Sequence, residues 1–388
     1  MKIKTFIKLG DICDISAGQG APQGDSNYCD NGTPFVKAGN LIELLQGKNE
    51  TDIQKVSEDV AKKHKLKKYT AGSILFAKSG MSCMKGYVYQ LKNDSYVVSH
   101  LAIVKPIKDS SDYIEYCLRH IKPNSLVKDE AYPSISLQDI SNLKIPLPSL
   151  EEQIKISKQL YICTQIINKH KKQLERYDTL IKSRFIEMFG EPVQNPMGWE
   201  KTELGNMCKE VRYGTSKPAT ENGKYTYLRM NNITFEGELD LANTKTIDIS
   251  DEELPKCSVQ KGDILFNRTN SIELCGKTCL YKLDETMVIA GYIIRVRVNE
   301  KLNPQYVSTF FNTKSIKKLL REMAKGAVNQ ANINAQEMQS IQIPVPPITL
   351  QNNFENFVQQ IDKSKFAVQK SLEKAETLYK SLMQEYFA

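Results

Sequence analysis

The clearest pattern in the chain is a pair of long amphipathic segments without helix-breaking residues. Residues 151–189 contain no proline or glycine, and apolar residues recur there at alternating spacings of three and four. This spacing is typical of a helix whose apolar seam packs against a partner helix. One row of each seam is mostly apolar, namely Leu160, Ile167, Leu174, Ile181 and Met188 in the first segment and Phe354, Ile361, Val368, Ala375 and Leu382 in the second.

Both seams also contain polar residues. His170 and Arg184 interrupt the first, and Lys365 interrupts the second. Since neither seam is well formed alone, we predict that the two helices pair mainly with each other. A helix of about 39 residues spans about 58 Å at 1.5 Å per residue, which favours a spacer over ordinary domain packing.

The remainder of the chain occurs as two similar copies. Matched segments are offset by roughly 190 to 198 residues, which indicates a tandem repeat. Each copy contains short β-rich runs, then a short helical stretch, then an Ile-Pro-x-Pro strap, then a long helix. The matched pairs are 9–22 with 204–218, 71–80 with 261–270, 95–106 with 286–298, and 145–148 with 343–346.

This repeated order predicts an α+β fold with two β-rich domains, each followed by a long helix. We expect the first β-rich domain at 1–149 and its helix at 150–190. The second domain is expected at 191–347 and its helix at 348–388.

Composition is that of an ordinary water-soluble protein. Of the 388 residues, 40% are hydrophobic and 25% are charged. The sequence shows no apolar stretch near the length of about 20 residues that crosses a bilayer, and residues 1–9 lack the apolar core of a signal peptide. We therefore expect a cytoplasmic protein without membrane contact. The net charge of +8 favours a polyanionic partner without identifying one.

The sequence offers little support for a metal or catalytic centre. The nine cysteines are scattered, which favours reduced and mostly buried thiols. Cys275 and Cys279 leave a zinc site open as an alternative, although no other cysteine or histidine lies near them in sequence. Residues 276–278 end like a phosphate-binding loop, but Ser271 stands where its first glycine belongs. We predict no catalytic residue, no metal and no cofactor in this chain.

The ordered set of these features resembles the specificity subunits of type I restriction–modification systems, over essentially the whole chain. The most telling segment is the strap and helix start IPLPSLEEQ at 145–153. In the second copy, residues 343–351 keep the Ile-Pro-x-Pro strap and the final glutamine but lose the two acids. The Leu-Gly pairs at 9–10 and 204–205, the segment 195–199, and Gly72 and Gly262 add to the resemblance.

The resemblance implies a function in addressing DNA. Each β-rich unit would be a target recognition domain, and the long helices would form an antiparallel coiled coil that relates the units by a pseudo-twofold axis. Each domain would recognise half of a bipartite, asymmetric site in double-stranded DNA, while the helices set the spacing and dock two methylation subunits. Those subunits would bring S-adenosylmethionine, and restriction subunits would bring ATP and magnesium.

Candidate DNA contacts are basic and amide side chains in the loops of each copy. Lys78 and Arg268 are the best pointers, because both directly follow the equivalent Ile-Leu-Phe strand. The candidates in the first copy are Gln19, Gln23, Lys37, Asn40, Lys78, Ser79 and Lys85. Those in the second copy are Tyr213, Thr215, Lys217, Arg229, Asn231, Asn232, Arg268, Asn270, Lys277, Gln330 and Asn332.

Three questions stay open at this point. The lysine-rich run 61–68 fits either a phosphate contact or a solvated helix face. A stand-alone methyltransferase or nuclease with an unusual active site is a second functional hypothesis. An adaptor whose coiled coil joins proteins and whose β-rich units bind peptides is a third.

Overall fold

The computed structural model describes residues 5–324 and 331–388. The chain divides into two units, residues 1–169 with 371–388, and residues 170–370. Each unit therefore contains one β-rich domain together with a part of each long helix.

Residues 5–189 of the first copy form nine strands and five α-helices. The strands are β1 (Phe6–Lys8), β2 (Cys13–Ala17), β3 (Thr33–Val36), β4 (Lys55–Val56), β5 (Ile74–Ala77), β6 (Val88–Gln90), β7 (Tyr96–Val97), β8 (Leu101–Pro106) and β9 (Lys144–Pro146). Strands β2, β8, β5 and β6 form a four-stranded antiparallel sheet in that order, and β4, β3 and β7 form a three-stranded sheet. The helices are α1 (Asn40–Leu45), α2 (Glu58–Lys63), α3 (Ser111–Ile121), α4 (Leu137–Ser141) and α5 (Leu150–Phe189).

The second copy repeats this plan with more strands. The strands are β10 (Lys201–Glu203), β11 (Cys208–Tyr213), β12 (Tyr225–Leu228), β13 (Lys245–Ile247), β14 (Ser258–Val259), β15 (Ile264–Asn267), β16 (Thr269–Asn270), β17 (Thr278–Leu280), β18 (Met287–Ile289), β19 (Ile293–Val298), β20 (Ala331–Asn332) and β21 (Gln342–Pro344). Strands β11, β19, β15 and β17 form a four-stranded antiparallel sheet, and β13, β12, β18 and β14 form a mixed four-stranded sheet. The helices are α6 (Leu254–Cys257), α7 (Pro304–Phe311), α8 (Lys314–Met323), α9 (Ala335–Gln339) and α10 (Ile348–Phe387).

The four-stranded antiparallel sheets have the same order of equivalent strands in both copies. In each, the central Ile-Leu-Phe strand is fully buried. A continuous apolar run of this length is what a strand covered on both faces requires. The predicted tandem α+β organisation is confirmed by this repetition.

The strap sequences fasten each long helix to its β-rich domain. Gln153 is buried, and its side chain accepts a hydrogen bond from the Ser110 amide at 3.0 Å and donates to the Pro148 carbonyl at 3.0 Å. Gln351 repeats this in the second copy, accepting from the Asn303 amide at 2.8 Å. A buried amide with both ends satisfied fixes the chain direction, which explains why the glutamine occurs in both copies.

The two long helices run antiparallel where they meet. In the second unit, Phe354 packs on Phe185 with ring centroids 5.5 Å apart, and Lys365 pairs with Asp178 at 2.7 Å. In the first unit, the Tyr386 hydroxyl donates to the Gln159 side chain at 2.7 Å. Residue numbers therefore rise along one helix as they fall along the other. The predicted pairing of the helices with each other is confirmed.

Lys365 is not a defect of the helix seam. Its ammonium group contacts Asp178 of α5 and also Glu238 of the β-rich domain at 2.8 Å. Although burial opposes the charged form, the two carboxylates raise the pKa of Lys365. The lysine thus joins both long helices to the β-rich domain of the second unit.

The C-terminal end of each long helix enters a domain core. Phe185 and Phe189 of α5 belong to the core of the second unit with Tyr306. Phe387 of α10 belongs to the core of the first unit, where its ring lies 5.4 Å from that of Tyr113. The helix that follows one β-rich domain therefore completes the core of the other unit.

Candidate nucleic-acid interface

A basic residue occupies the same place at the end of the central strand in each unit. The Lys78 amide donates to the His100 carbonyl at 2.9 Å, and its carbonyl accepts from Ile135 at 2.8 Å. The Arg268 amide donates to the Tyr292 carbonyl at 2.9 Å, and its carbonyl accepts from Ile333 at 2.9 Å. The equivalence predicted from the repeat therefore extends to the backbone hydrogen bonds around both side chains.

In the first unit, the structure adds a histidine to the candidates found from the sequence. The Ser79 hydroxyl lies 2.8 Å from His100 Nδ1, and His100 is exposed. Lys78, Ser79 and His100 thus form one polar surface. Sequence reasoning missed His100, although the repeat pairs it with Tyr292, a position next to Arg268 in space.

The other candidates of the first unit differ in availability. The Gln19 amide donates to the Lys65 carbonyl at 2.8 Å and accepts from the Lys67 amide, so both of its ends are used within the protein. Lys37 donates to Gln54 at 2.6 Å, and the Asn40 side chain accepts from the Lys37 amide at 2.9 Å. Gln23 and Lys85 are exposed.

In the second unit, five of the candidates line a single cavity of about 590 Å³. The Arg268 guanidinium lies 4.9 Å from the centre of the Tyr213 ring at the same place. The Nε atoms of Arg229 and Arg268 are buried and have no hydrogen-bond partner among the described residues. The five candidates that line the cavity are Thr215, Lys217, Arg229, Asn231 and Arg268.

Two candidates of the second unit are buried and bonded within the protein. Asn232 is buried, accepting from the Arg229 amide at 2.9 Å and donating to the Asp240 carbonyl at 2.8 Å. Lys277 is also buried, and its ammonium group donates to the Met230 carbonyl at 2.8 Å. These bonds hold the backbone that carries Arg229 and Asn231, so both residues support the cavity from behind.

Two of the remaining candidates do not line this cavity, and one lies outside the described residues. The Asn270 amide donates to the Asn267 side chain at 3.0 Å. The Asn332 side chain accepts from the Thr269 hydroxyl at 2.9 Å, and Asn332 remains exposed. Gln330 lies outside the described residues.

The cysteine pair weighed as a zinc site is buried in the second unit. Burial raises the pKa of Cys275 to about 11 and that of Cys279 to about 12, so both thiols stay protonated near neutral pH. Zinc binds the thiolate form. Among residues 5–324 and 331–388, no group of three or more histidine, cysteine or acidic side chains is placed to hold a metal ion.

Both copies match one protein family. The sequence pattern of the type I restriction modification DNA specificity domain matches residues 1–176 and again residues 196–376. The chain belongs to this family. Each specificity domain contains one of the two strand-end basic residues, Lys78 in the first and Arg268 in the second.

Named relatives are specificity subunits of type I restriction enzymes. The EcoKI specificity subunit of Escherichia coli K12 is 23% identical over 295 residues, which cover 70% of this chain and 63% of that protein. The putative MjaX specificity subunit of Methanocaldococcus jannaschii is 28% identical over 196 residues, which cover 50% of this chain and 46% of that protein. The matched regions therefore span less than two thirds of either relative.

Solved structures share the fold over the full chain. The crystal structure of the type I restriction–modification S subunit from M. genitalium superposes with a TM-score of 0.62 at 14% identity, covering 100% of this chain and 97% of that one. A chain from a structural study of complex assembly in the type I system gives a TM-score of 0.55 at 16% identity, covering 98% and 97%. No described helix has the length and apolar character needed to span a membrane.

Proposed function

We propose that this chain recognises a bipartite, asymmetric sequence in double-stranded DNA, with one half-site for each specificity domain. The observation that carries the proposal is the repeated position of Lys78 and Arg268 at the end of the central strand. Basic side chains on a surface rich in amides and hydroxyls are suited to phosphates and to the acceptor atoms of guanine. The neighbours differ between the copies, with Ser79 and His100 in one and Tyr213 and Tyr292 in the other, which favours two different half-sites.

The proposed role is non-catalytic and cytoplasmic. Two methylation subunits would supply S-adenosylmethionine and transfer the methyl group, and restriction subunits would supply ATP and magnesium. This chain would supply the sequence address, and its paired helices would set the spacing between half-sites. The names of the relatives support this division of labour.

The face proposed to dock a methylation subunit lies on the first half of helix α5. Leu150, Ile154 and Tyr161 are exposed there at helical spacing. Ile154 and Tyr161 also line a cavity of about 430 Å³ with Tyr116 of α3. The equivalent positions in α10 hold Asn352 and Gln359. An exposed apolar face next to a cavity is suited to a partner helix that inserts a side chain.

Co-expression with the methylation subunit of the same locus, followed by methylome sequencing of the host DNA, tests the proposal. The expected result is a bipartite, asymmetric motif carrying N6-methyladenine on both strands that disappears when this gene is deleted. If both proteins are confirmed present and the methylome is unchanged, the result favours the adaptor hypothesis.

Separate substitutions at the two strand ends should affect separate half-sites. Lys78→Ala should relax or weaken recognition of one half-site, and Arg268→Ala that of the other, each by about 1–3 kcal/mol of discrimination. Methylome sequencing with each variant measures which half of the motif degenerates. Lys261→Ala is the matched control, because Lys261 precedes strand β15 and pairs with Asp284 in an exposed ion pair. Equal loss at both halves would instead indicate general electrostatic attraction.

Polar substitution of the α5 face should weaken assembly. Ile154→Ser combined with Tyr161→Ser is expected to lower affinity for the methylation subunit by about 2 kcal/mol or more, as for truncated apolar anchors at an interface. Titration calorimetry without DNA measures this directly. Gln359→Ser serves as the control at the equivalent position of α10. Unchanged affinity in the double variant would place the docking surface elsewhere.

A further inference from the structure

Two large apolar side chains of the first unit project into solvent beside the candidate DNA contacts. Tyr132 is 82% exposed and Met81 is 70% exposed, the two highest values among the large hydrophobic residues of the described chain. Both lie within three residues of a candidate contact or of its hydrogen-bonded partner segment. Isolated exposed apolar residues are common, but a pair of this size at a proposed ligand surface calls for a reason.

Backbone hydrogen bonds join the segments next to these two residues. Ser79 forms an antiparallel bridge with Ser134, and the Gly80 amide donates to the Pro133 carbonyl at 3.0 Å. Met81 directly follows Gly80, where the bridge ends and the 3-10 helix Met81–Lys85 begins, and Tyr132 directly precedes Pro133. The two apolar side chains therefore extend the surface of Lys78, Ser79 and His100.

Local hydrogen bonds and packing hold both residues in place. Met81 opens a short 3-10 helix, Met81–Lys85, which is anchored by buried Cys83. On the other side, the Asp129 carboxylate accepts from the Ala131 amide at 2.8 Å, and Pro133 restricts the backbone of Tyr132, the residue before it. The exposure of both side chains is thus a property of ordered backbone.

We propose that Met81 and Tyr132 stack against or insert between base pairs of the first half-site, so that the first specificity domain distorts the DNA that it recognises. The inference rests on the proposed function. Proteins wedge methionine and other apolar side chains between base steps, and tyrosine stacks on bases whatever their sequence. Lys78 and exposed Lys85 provide the positive charge that brings the phosphate backbone to this surface. Duplex DNA is the occupant that matches an apolar pair bordered by lysines.

The second domain lacks the same device at the position that can be compared. Thr269 pairs with Asn332 and Asn270 with Ala331, which reproduces the register of the first domain. Ser271 then stands where the first domain has Met81. We therefore expect the apolar distortion at the first half-site only.

The test uses the complex of the full chain with its methylation subunits and a duplex that carries the site found by methylome sequencing. 2-Aminopurine is placed at one position at a time in each half-site, avoiding the adenine that is methylated. Binding of the wild-type complex should raise the fluorescence at one or two adjacent positions of the first half-site, because unstacking relieves quenching. Tyr132→Ala and Met81→Ala should each abolish this rise, and Tyr132→Ala should weaken binding about tenfold.

Two control variants show whether the effect is specific. Ile107 is 57% exposed in the same unit, and it lies six positions after Leu101 at the far end of strand β8, which is about 20 Å at 3.3 Å per residue. Ile107→Ala should therefore leave both signals unchanged. Tyr132→Phe keeps the ring and should retain the fluorescence rise.

The outcomes separate this inference from the proposed function. A wild-type complex that shows no salt-dependent binding to the duplex would refute the proposed function itself. If the complex binds with salt dependence but the fluorescence rise survives both alanine substitutions, only the proposed stacking or insertion of Met81 and Tyr132 is overturned. If Tyr132→Ala instead weakens assembly with the methylation subunits in the absence of DNA, this surface contacts protein, and the proposed stacking or insertion into DNA is also wrong.

Discussion

Glu210→Ala is expected to lower the free energy of unfolding of the second unit by about 3 kcal/mol, the low end of the cost of leaving a buried charge without its partner, because Arg295 is fully buried but Glu210 is 24% exposed. The Arg295 side chain is fully buried, and its guanidinium lies 3.0 Å from the Glu210 carboxylate. Arg297 contacts the same carboxylate at 2.9 Å and also pairs with Asp263 at 2.6 Å. Without Glu210, the remaining hydrogen-bond partners of Arg295 are the backbone carbonyls of Pro255 and Ser258.

Urea denaturation followed by the fluorescence of Trp199 measures this loss. Trp199 is the single tryptophan of the chain and lies in the second unit, so its signal reports that unit. Glu300→Ala is the control, because Glu300 forms an exposed pair with Lys209 and should contribute little. Equal midpoints for Glu210→Ala and Glu300→Ala would show that Arg295 does not depend on the carboxylate.

The same ion pair gives a pH dependence with a defined sign. Burial favours the neutral form of Glu210, but the charges of Arg295, Arg212 and Arg297 hold the pKa of that carboxyl below its ordinary value. A carboxyl whose pKa is depressed by folding stabilises the protein fully above its unfolded pKa of about 4.3, and loses that contribution as the pH falls through the folded value. The urea midpoint reported by Trp199 fluorescence should therefore fall less between pH 5 and pH 3 in the Glu210→Gln variant than in the wild type.

The regular elements could be predicted because their signals are local. The helical spacing of apolar residues and the absence of proline and glycine located the long helices, which run over Leu150–Phe189 and Ile348–Phe387. The repeat aligned Lys78 with Arg268 because the strands that precede them share the sequence Ile-Leu-Phe. Such features depend on near neighbours in sequence, where pattern arguments are strongest.

The interior charges could not be predicted, since they depend on what covers each sheet. The segment IIRVRV of strand β19 alternates so that Arg295 and Arg297 share a face that would ordinarily be solvent-exposed. Contacts from Pro255 and Ser258 cover Arg295 instead. The first copy has Ile103 at the equivalent place, so even the internal repeat gives no warning.

The candidate DNA surface was predictable only in part for a similar reason. Residue type favours Asn232 and Lys277 as contacts as strongly as it favours Asn231 and Arg268. Burial separates the two groups, since Asn232 donates to the Asp240 carbonyl and Lys277 to the Met230 carbonyl. Conversely, Tyr132 and Met81 carry no polar signal, and only their exposure beside Lys78 marks them.

Phe185→Ala is the second large effect, and it tests whether α5 completes the core of the second unit. Phe185 is fully buried among aromatic rings, with centroids 5.3 Å from Tyr306, 5.0 Å from Phe189 and 5.5 Å from Phe354. It lies outside both rows of the predicted helix seam, because here the helix packs on a domain core as well as on its partner helix.

Removing this ring leaves a cavity surrounded by three rigid aromatic side chains that relax poorly, so we expect a loss of about 3–5 kcal/mol in the free energy of unfolding. Trp199 is well placed to report it, because its indole donates to the Phe189 carbonyl at 3.0 Å. Ile186→Ala changes the next residue of the helix, which is exposed, and should cost little. If Phe185→Ala and Ile186→Ala had the same free energy of unfolding, the Phe185 ring of α5 would not stabilise the second unit. A large difference between the two would make the helix that follows the first specificity domain a stabilising part of the second.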